Sequence, residues 1–162
     1  MIESVNFVPR YFAEDQVFNE KQAVISITDN DQADAKIQGI TDSARLLRVR
    51  FLDVEEHIAH PKFKTDFLFD NNKAQTIKDF IDTLHALPEK VEMIVHCEAG
   101  ASRSAAVALF IYYHTQCEFR NHNRADYANK LVVSVFSNLI AKDIIIPPKA
   151  PSDGIILLNN YF

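Results

Sequence analysis

The sequence predicts a single α/β domain with a mostly parallel central sheet flanked by helices. Segments of strand character alternate along the chain with segments of helical periodicity, the order that βαβ units require. The length of 162 residues fits one domain, and 48% apolar residues suffice for a sizeable core.

The elements follow in order. "AVISITD", from Ala23, is a short buried strand running into polar turn residues. "ARLLRVRFLD" is a second strand, in which Leu47, Val49 and Phe51 alternate with Arg48, Arg50 and Leu52. From Asp53 to Asn72 the composition is mixed and loop-rich, with Pro61 breaking any regular element. "NNKAQTIKDFIDTLHAL" carries Ala74, Ile77, Phe80, Ile81, Leu84 and Leu87 at helical spacing, and Pro88 closes it. "VEMIVH" is the next strand. "SRSAAVALFIYYHT" is nearly apolar all round, which places it as a central buried helix. "RADYANKLVVSVFSNLIAK" is a last helix. These elements put the core at about 20–140, with a Pro-rich, irregular tail over 144–162 whose apolar residues pack over the body.

Composition narrows the function classes. The formal net charge is −5 and the pI about 5.6. An acidic balance argues against a nucleic-acid backbone as partner, which favours a basic face. No apolar run approaches the ~20 residues needed to span a bilayer. The start, "MIESVNFVPRYF", lacks a charged segment followed by an apolar one and so does not read as a signal peptide. Two cysteines, Cys97 and Cys117, are fewer than a secreted disulfide framework normally uses. The expectation is a soluble, cytoplasmic monomer.

The chemistry concentrates at "VHCEAGASRS", residues 95–104. Cys97 falls where a strand stops and a helix starts. Residues 98 to 103 loop between them, and backbone N–H groups at such a place have no helical partners. They can form an anion cradle, aided by the helix dipole. Ala99, Gly100 and Ala101 let the backbone turn tightly and approach an anion closely. Arg103 offers a planar fork matched to phosphate oxygens. A helix start beside an arginine favours the thiolate of Cys97. Ser104 can donate a hydrogen bond that helps the sulfur leave in a second step. An activated sulfur beneath an anion cradle suggests nucleophilic attack on phosphorus.

This His-Cys-X5-Arg-Ser frame, in the order strand, loop, helix, resembles the signature of cysteine-dependent protein tyrosine phosphatases, in particular their small dual-specificity-like branch. The resemblance spans roughly 20–140 in element order, with close residue matching confined to 94–107. It implies a tyrosine-phosphatase-like fold with strand, phosphate loop and helix. It also implies Cys97 as nucleophile and Arg103 as ligand of the phosphoryl group. The backbone of Glu98, Ala99, Gly100, Ala101, Ser102 and Arg103 would bind the remaining oxygens. Ser104 would assist breakdown of the cysteinyl-phosphate, and His96 would orient the loop from below. No metal and no cofactor is implied.

Cleaving a phosphate ester needs a proton for the leaving oxygen. Relatives in that family carry an Asp upstream of the Cys, after a strand. Asp53, which ends "LLRVRFLD", is favoured, with Asp66 and Asp70 as the other candidates. Glu98 would oppose an anion if it faced the pocket, so it is expected to face solvent or pair with a basic neighbour. It disfavours highly anionic substrates, since the loop has no basic residue before Arg103.

Other features carry plainer readings. His57 and His60 form an H-x-x-H pair without the further ligands a metal site needs. Cys117 lies beyond the following helix, some ~20 Å from Cys97 at 1.5 Å per residue, and is a helix-end residue. Arg45, Arg48 and Arg50 read as a solvated strand face. Tyr112 and Tyr113 read as core and helix-edge aromatics. Asn129 stands at the start of the apolar part of the last helix, as a polar surface position or a hydrogen-bonding partner of a loop.

The expected function is metal-independent hydrolysis of phosphotyrosine in proteins, or of small phosphomonoesters, with dual specificity open. A phosphoprotein-binding module, an RNA 5′-phosphatase and a rhodanese-like sulfurtransferase are the competing readings.

Overall fold

The computed structural model describes residues 1–55 and 65–149. Its elements, in chain order, are β1 (Ile2–Pro9), α1 (Arg10–Asp15), β2 (Gln22–Thr28), β3 (Leu46–Arg50), α2 (Asn71–His85), β4 (Val91–Cys97), α3 (Arg103–Thr115), β5 (Glu118–Phe119) and α4 (Lys130–Ile140), with short 3-10 turns at Ser43–Arg45, Thr65–Phe67 and His122–Tyr127. The five strands form one sheet in the order β3-β2-β4-β1-β5, and every pairing is parallel. The α/β class with helices flanking a parallel sheet is therefore as expected.

Strand alternation assigns each side chain to a face. Val5 and Phe7 of β1, Ala23, Ile25 and Ile27 of β2, and Met93, Val95 and Cys97 of β4 point into the main core. That core is closed by α2, α3 and α4, which supply Ile77, Ile81, Leu109, Phe110 and Phe136 among others. Val8, Val24 and Ile94 point the other way, against Ala13 and Phe12 of α1 and the 37–40 segment. Strands covered on both faces read as continuous apolar runs rather than clean alternation, which is why β4 is "VEMIV". Helix α3 is as buried as its composition demands, with Ala105 to Ile111 fully enclosed.

Two differences from the sequence reading stand out. The first strand, β1, was not expected, because "IESVNFVP" carried no message beyond the lack of a signal peptide. It lies inside the sheet between β4 and β5, and its last residue, Pro9, pairs in register with Cys97. The last helix is also shorter than expected. The chain forms a 3-10 turn at His122–Tyr127, leaves helical geometry at Ala128 (ψ 135°), and restarts as α4 behind Asn129. The cause is Asn129, whose Oδ1 accepts from the Val132 N–H at 3.1 Å and caps a new helix.

The topology places a crevice. Strands β2 and β4 are neighbours, yet the chain leaves β2 toward β3 on one side and β4 toward β5 on the other. Loops diverge there, outside the carboxyl ends of the strands, where open α/β sheets bind ligands. Thr28, Arg50 and Cys97 end β2, β3 and β4 at that edge.

Candidate active site

Cys97 is the last residue of β4, and α3 begins at Arg103. Gly100 makes the turn between them possible. Its φ is +64°, and a Cβ there would stand 2.2 Å from Pro9 N and 2.5 Å from the Val8 carbonyl carbon. Only a glycine lets the loop lie on the end of β1 in this way. Backbone bonds hold both ends of the loop: Arg10 N–H donates to Glu98 O at 3.2 Å, and Asn129 N–H donates to Ser102 O at 3.1 Å. No backbone carbonyl among the described residues accepts from the N–H groups of residues 98–102. Those donors remain for a ligand.

Cys97 is buried, and its Sγ lies 3.1 Å from Ser104 Oγ, itself fully enclosed in the first turn of α3. Ser102 stands at the cap position of α3 but makes no side-chain cap bond. Its hydroxyl instead donates to Asp53 Oδ1 at 2.6 Å. Arg103 is likewise buried; its Nη1 donates to the Phe51 carbonyl at 2.7 Å and to the carboxylate of Asp29. Its Nε has no hydrogen-bond partner and lies 3.9 Å from Asp53 Oδ2. Nη1 is thus held by two acceptors, while Nε, also buried, makes no hydrogen bond. A buried donor without an acceptor is costly unless a ligand meets it.

Asp53 is the one acid candidate that reaches this group. Besides Ser102, Asn129 Nδ2 donates to its Oδ1 at 2.8 Å. Asp70 commits its carboxylate to the start of α2, accepting from Lys73 N at 2.9 Å and Lys73 Nζ at 2.8 Å. Asp66 is exposed in the 3-10 turn before α2. Glu98 points outward and pairs with Arg10 at 3.7 Å, as a side chain on the outside of such a loop should.

His96 lies on the other face of β4, fully enclosed, with Nε2 2.8 Å from Ser26 Oγ and Nδ1 without a partner. Burial, then the positive charge of Arg10, lowers its pKa to about 4. It is a neutral strut between β4 and β2 at neutral pH, placed beneath the loop. Cys117 is a second buried thiol, held protonated because burial pushes its pKa up.

Asp29 carried no signal when the chain was read as a string. The available clue is an acid directly after the apolar strand "VISIT", which at the carboxyl edge of a parallel sheet faces the crevice. The arginines expected to be a solvated stripe hold it there. Arg50 Nη1 donates to the carbonyls of Asp29 (3.0 Å) and Gln32 (2.6 Å), and its Nη2 pairs with Asp34 at 2.6 Å. Arg48 donates to the Ala35 carbonyl at 3.1 Å. Two β3 arginines therefore pin the loop after β2. Arg45 pairs instead with Glu89 at 2.8 Å. Tyr112 and Tyr113 pack half-buried against the core. His57 and His60 lie outside the described residues. Among the described residues no group of three or more His, Cys, Asp or Glu could hold a metal, and no helix is long and apolar enough to cross a membrane.

Comparison with family models, curated proteins and solved structures gives no match.

Proposed function

We propose that the chain is a metal-independent phosphomonoester hydrolase that acts on phosphotyrosine in proteins through a cysteinyl-phosphate. The observation that carries this reading is the Nε of the buried Arg103, which makes no hydrogen bond, beside a loop of unclaimed N–H groups next to Cys97. That set of donors suits a tetrahedral dianion, and a thiol lies beneath it.

The steps follow from the groups present. The Cys97 thiolate attacks phosphorus as the bond to the ester oxygen breaks, and Asp53 gives that oxygen its proton. The loop N–H groups and Arg103 hold the three equatorial oxygens, whose charge spreads in the transition state. Water then attacks the cysteinyl-phosphate and passes a proton to Asp53. The S–P bond breaks, Ser104 donates a hydrogen bond to the departing sulfur, and inorganic phosphate leaves.

The test is hydrolysis of p-nitrophenyl phosphate across pH, with chelator present, by wild type, Cys97→Ser and Asp53→Asn. The reading expects turnover that survives chelation and disappears in Cys97→Ser. Asp53→Asn should lose the basic limb of the pH profile. A folded, reduced wild type that binds phosphopeptide and leaves it intact would make the chain a binding module. Sulfur transfer from thiosulfate would make it a sulfurtransferase.

A further inference from the structure

Asn129 is fully enclosed, yet every polar atom of its side chain is used. Oδ1 caps α4 through the Val132 N–H. Nδ2 donates to Asp53 Oδ1 at 2.8 Å and lies 3.2 Å from the Val54 carbonyl. Its backbone N–H holds Ser102 O, the last residue of the loop above Cys97. One residue thus ties together the segment after β3, the loop after β4 and the start of α4.

A helix cap alone does not require asparagine. Ser, Thr or Asp would satisfy Val132 N–H as well. An aspartate would turn a second carboxylate toward Asp53, and a serine or threonine offers no second polar group to reach it. The amide supplies an acceptor for the helix and, on a separate atom, a donor for the acid, where a shorter hydroxyl has one oxygen for both.

The bonds on Asp53 are lopsided. Ser102 Oγ and Asn129 Nδ2 both donate to Oδ1, at 2.6 and 2.8 Å. Oδ2 is left on the Arg103 side, 3.9 Å from Nε. With Oδ1 filled by two donors, a proton on this carboxyl sits on Oδ2, the oxygen turned toward the site.

We infer that Asn129 is the positioning residue of the general acid: with Ser102 it holds Asp53 so that Oδ2 faces the leaving oxygen before substrate arrives. The inference rests on the phosphatase reading and on Asp53 as its acid.

The experiment compares two substrates. Phenyl phosphate releases a strongly basic phenolate that needs the proton, whereas 2,4-dinitrophenyl phosphate releases one that does not. Asn129→Ser keeps a capping oxygen and removes the amide donor. Its kcat/KM on phenyl phosphate should fall about tenfold or more, within the range a general acid supplies. On 2,4-dinitrophenyl phosphate it should change less than about twofold, and Asp53→Asn should show the same selectivity more strongly. An equal fall on both substrates would mean that Asn129 only supports the loop, and no change on either would also overturn the inference. If Asn129→Ser does not fold, Asn129→Thr keeps a capping oxygen, likewise lacks the amide, and is read in the same way. Wild type inactive on both substrates would be a different result, removing the phosphatase reading and with it the acid to be positioned.

Discussion

The carboxylate of Asp29 holds the guanidinium of Arg103 across 74 positions of sequence. The pair joins the end of β2 to the first residue of α3. It fixes the fork from one edge, while the Phe51 carbonyl takes the same Nη1. Arg103 therefore stands preset, with Nε on the side of Asp53, 3.9 Å from its Oδ2.

Removing that carboxylate leaves a buried charge with one partner fewer. Asp29→Ala should lower stability by about 2 kcal/mol, less than for a fully enclosed pair because Asp29 keeps partial contact with water. Asp29→Asn keeps a hydrogen-bonding oxygen and should lose less. Saturating inorganic phosphate or vanadate should restore more stability to Asp29→Ala than it adds to wild type, since the ligand replaces the missing counter-charge. Urea unfolding with and without the anion checks this. Equal gains in both proteins would mean that the anion binds elsewhere.

Gly100 is the hinge of the loop and the point where it touches β1. Gly100→Ala meets both the positive φ and the Pro9 backbone, so no side-chain movement relieves it. The expected cost is about 2 kcal/mol or more. Anion binding should be lost even where the fold survives, because the N–H groups can no longer converge. Calorimetric titration with vanadate at a temperature well below the transition gives the answer. Unchanged affinity would show that the cradle does not depend on this turn.

His96 makes stability depend on pH. Its folded pKa, about 4, lies below the ordinary 6.5 because burial disfavours the charged imidazolium. Between those values the unfolded chain binds the proton and the folded chain does not. The contribution is complete above pH 6.5 and is lost as pH falls toward 4, up to about 3 kcal/mol. His96→Asn should be less stable than wild type at pH 7.5, and its midpoint in urea should decline less between pH 6.5 and 4. Parallel declines in the two proteins would assign the acid sensitivity to other groups.

Much of this architecture was legible as a string because its signals are local. Apolar runs bounded by turn residues marked β2, β3 and β4, and helical spacing marked α2. The small residues between Cys97 and Arg103 marked a tight turn from strand to helix. Asp53 was legible as an acid at a strand end and was favoured over Asp66 and Asp70 on that ground, but which of the three reaches Arg103 depends on the fold. Strand β1 was missed because its eight residues mix apolar and polar positions and lie at the chain start, so their central place depends on pairing with β4 and β5.

What the chain by itself determined is the covalent order of the site: His96, Cys97, the five-residue loop, Arg103 and Ser104, on a strand followed by a buried helix. Neighbouring residues reach one another whatever the rest of the molecule does, so spacing alone conveys them. Tertiary structure decided which distant groups meet them. Asp29, the Phe51 carbonyl, Asp53 and Asn129 arrive from three other segments because parallel strands end at one edge of the sheet and bring their loops together there. Such contacts are set by strand order and register. Those depend on how the whole core packs, and no local pattern of residues encodes them.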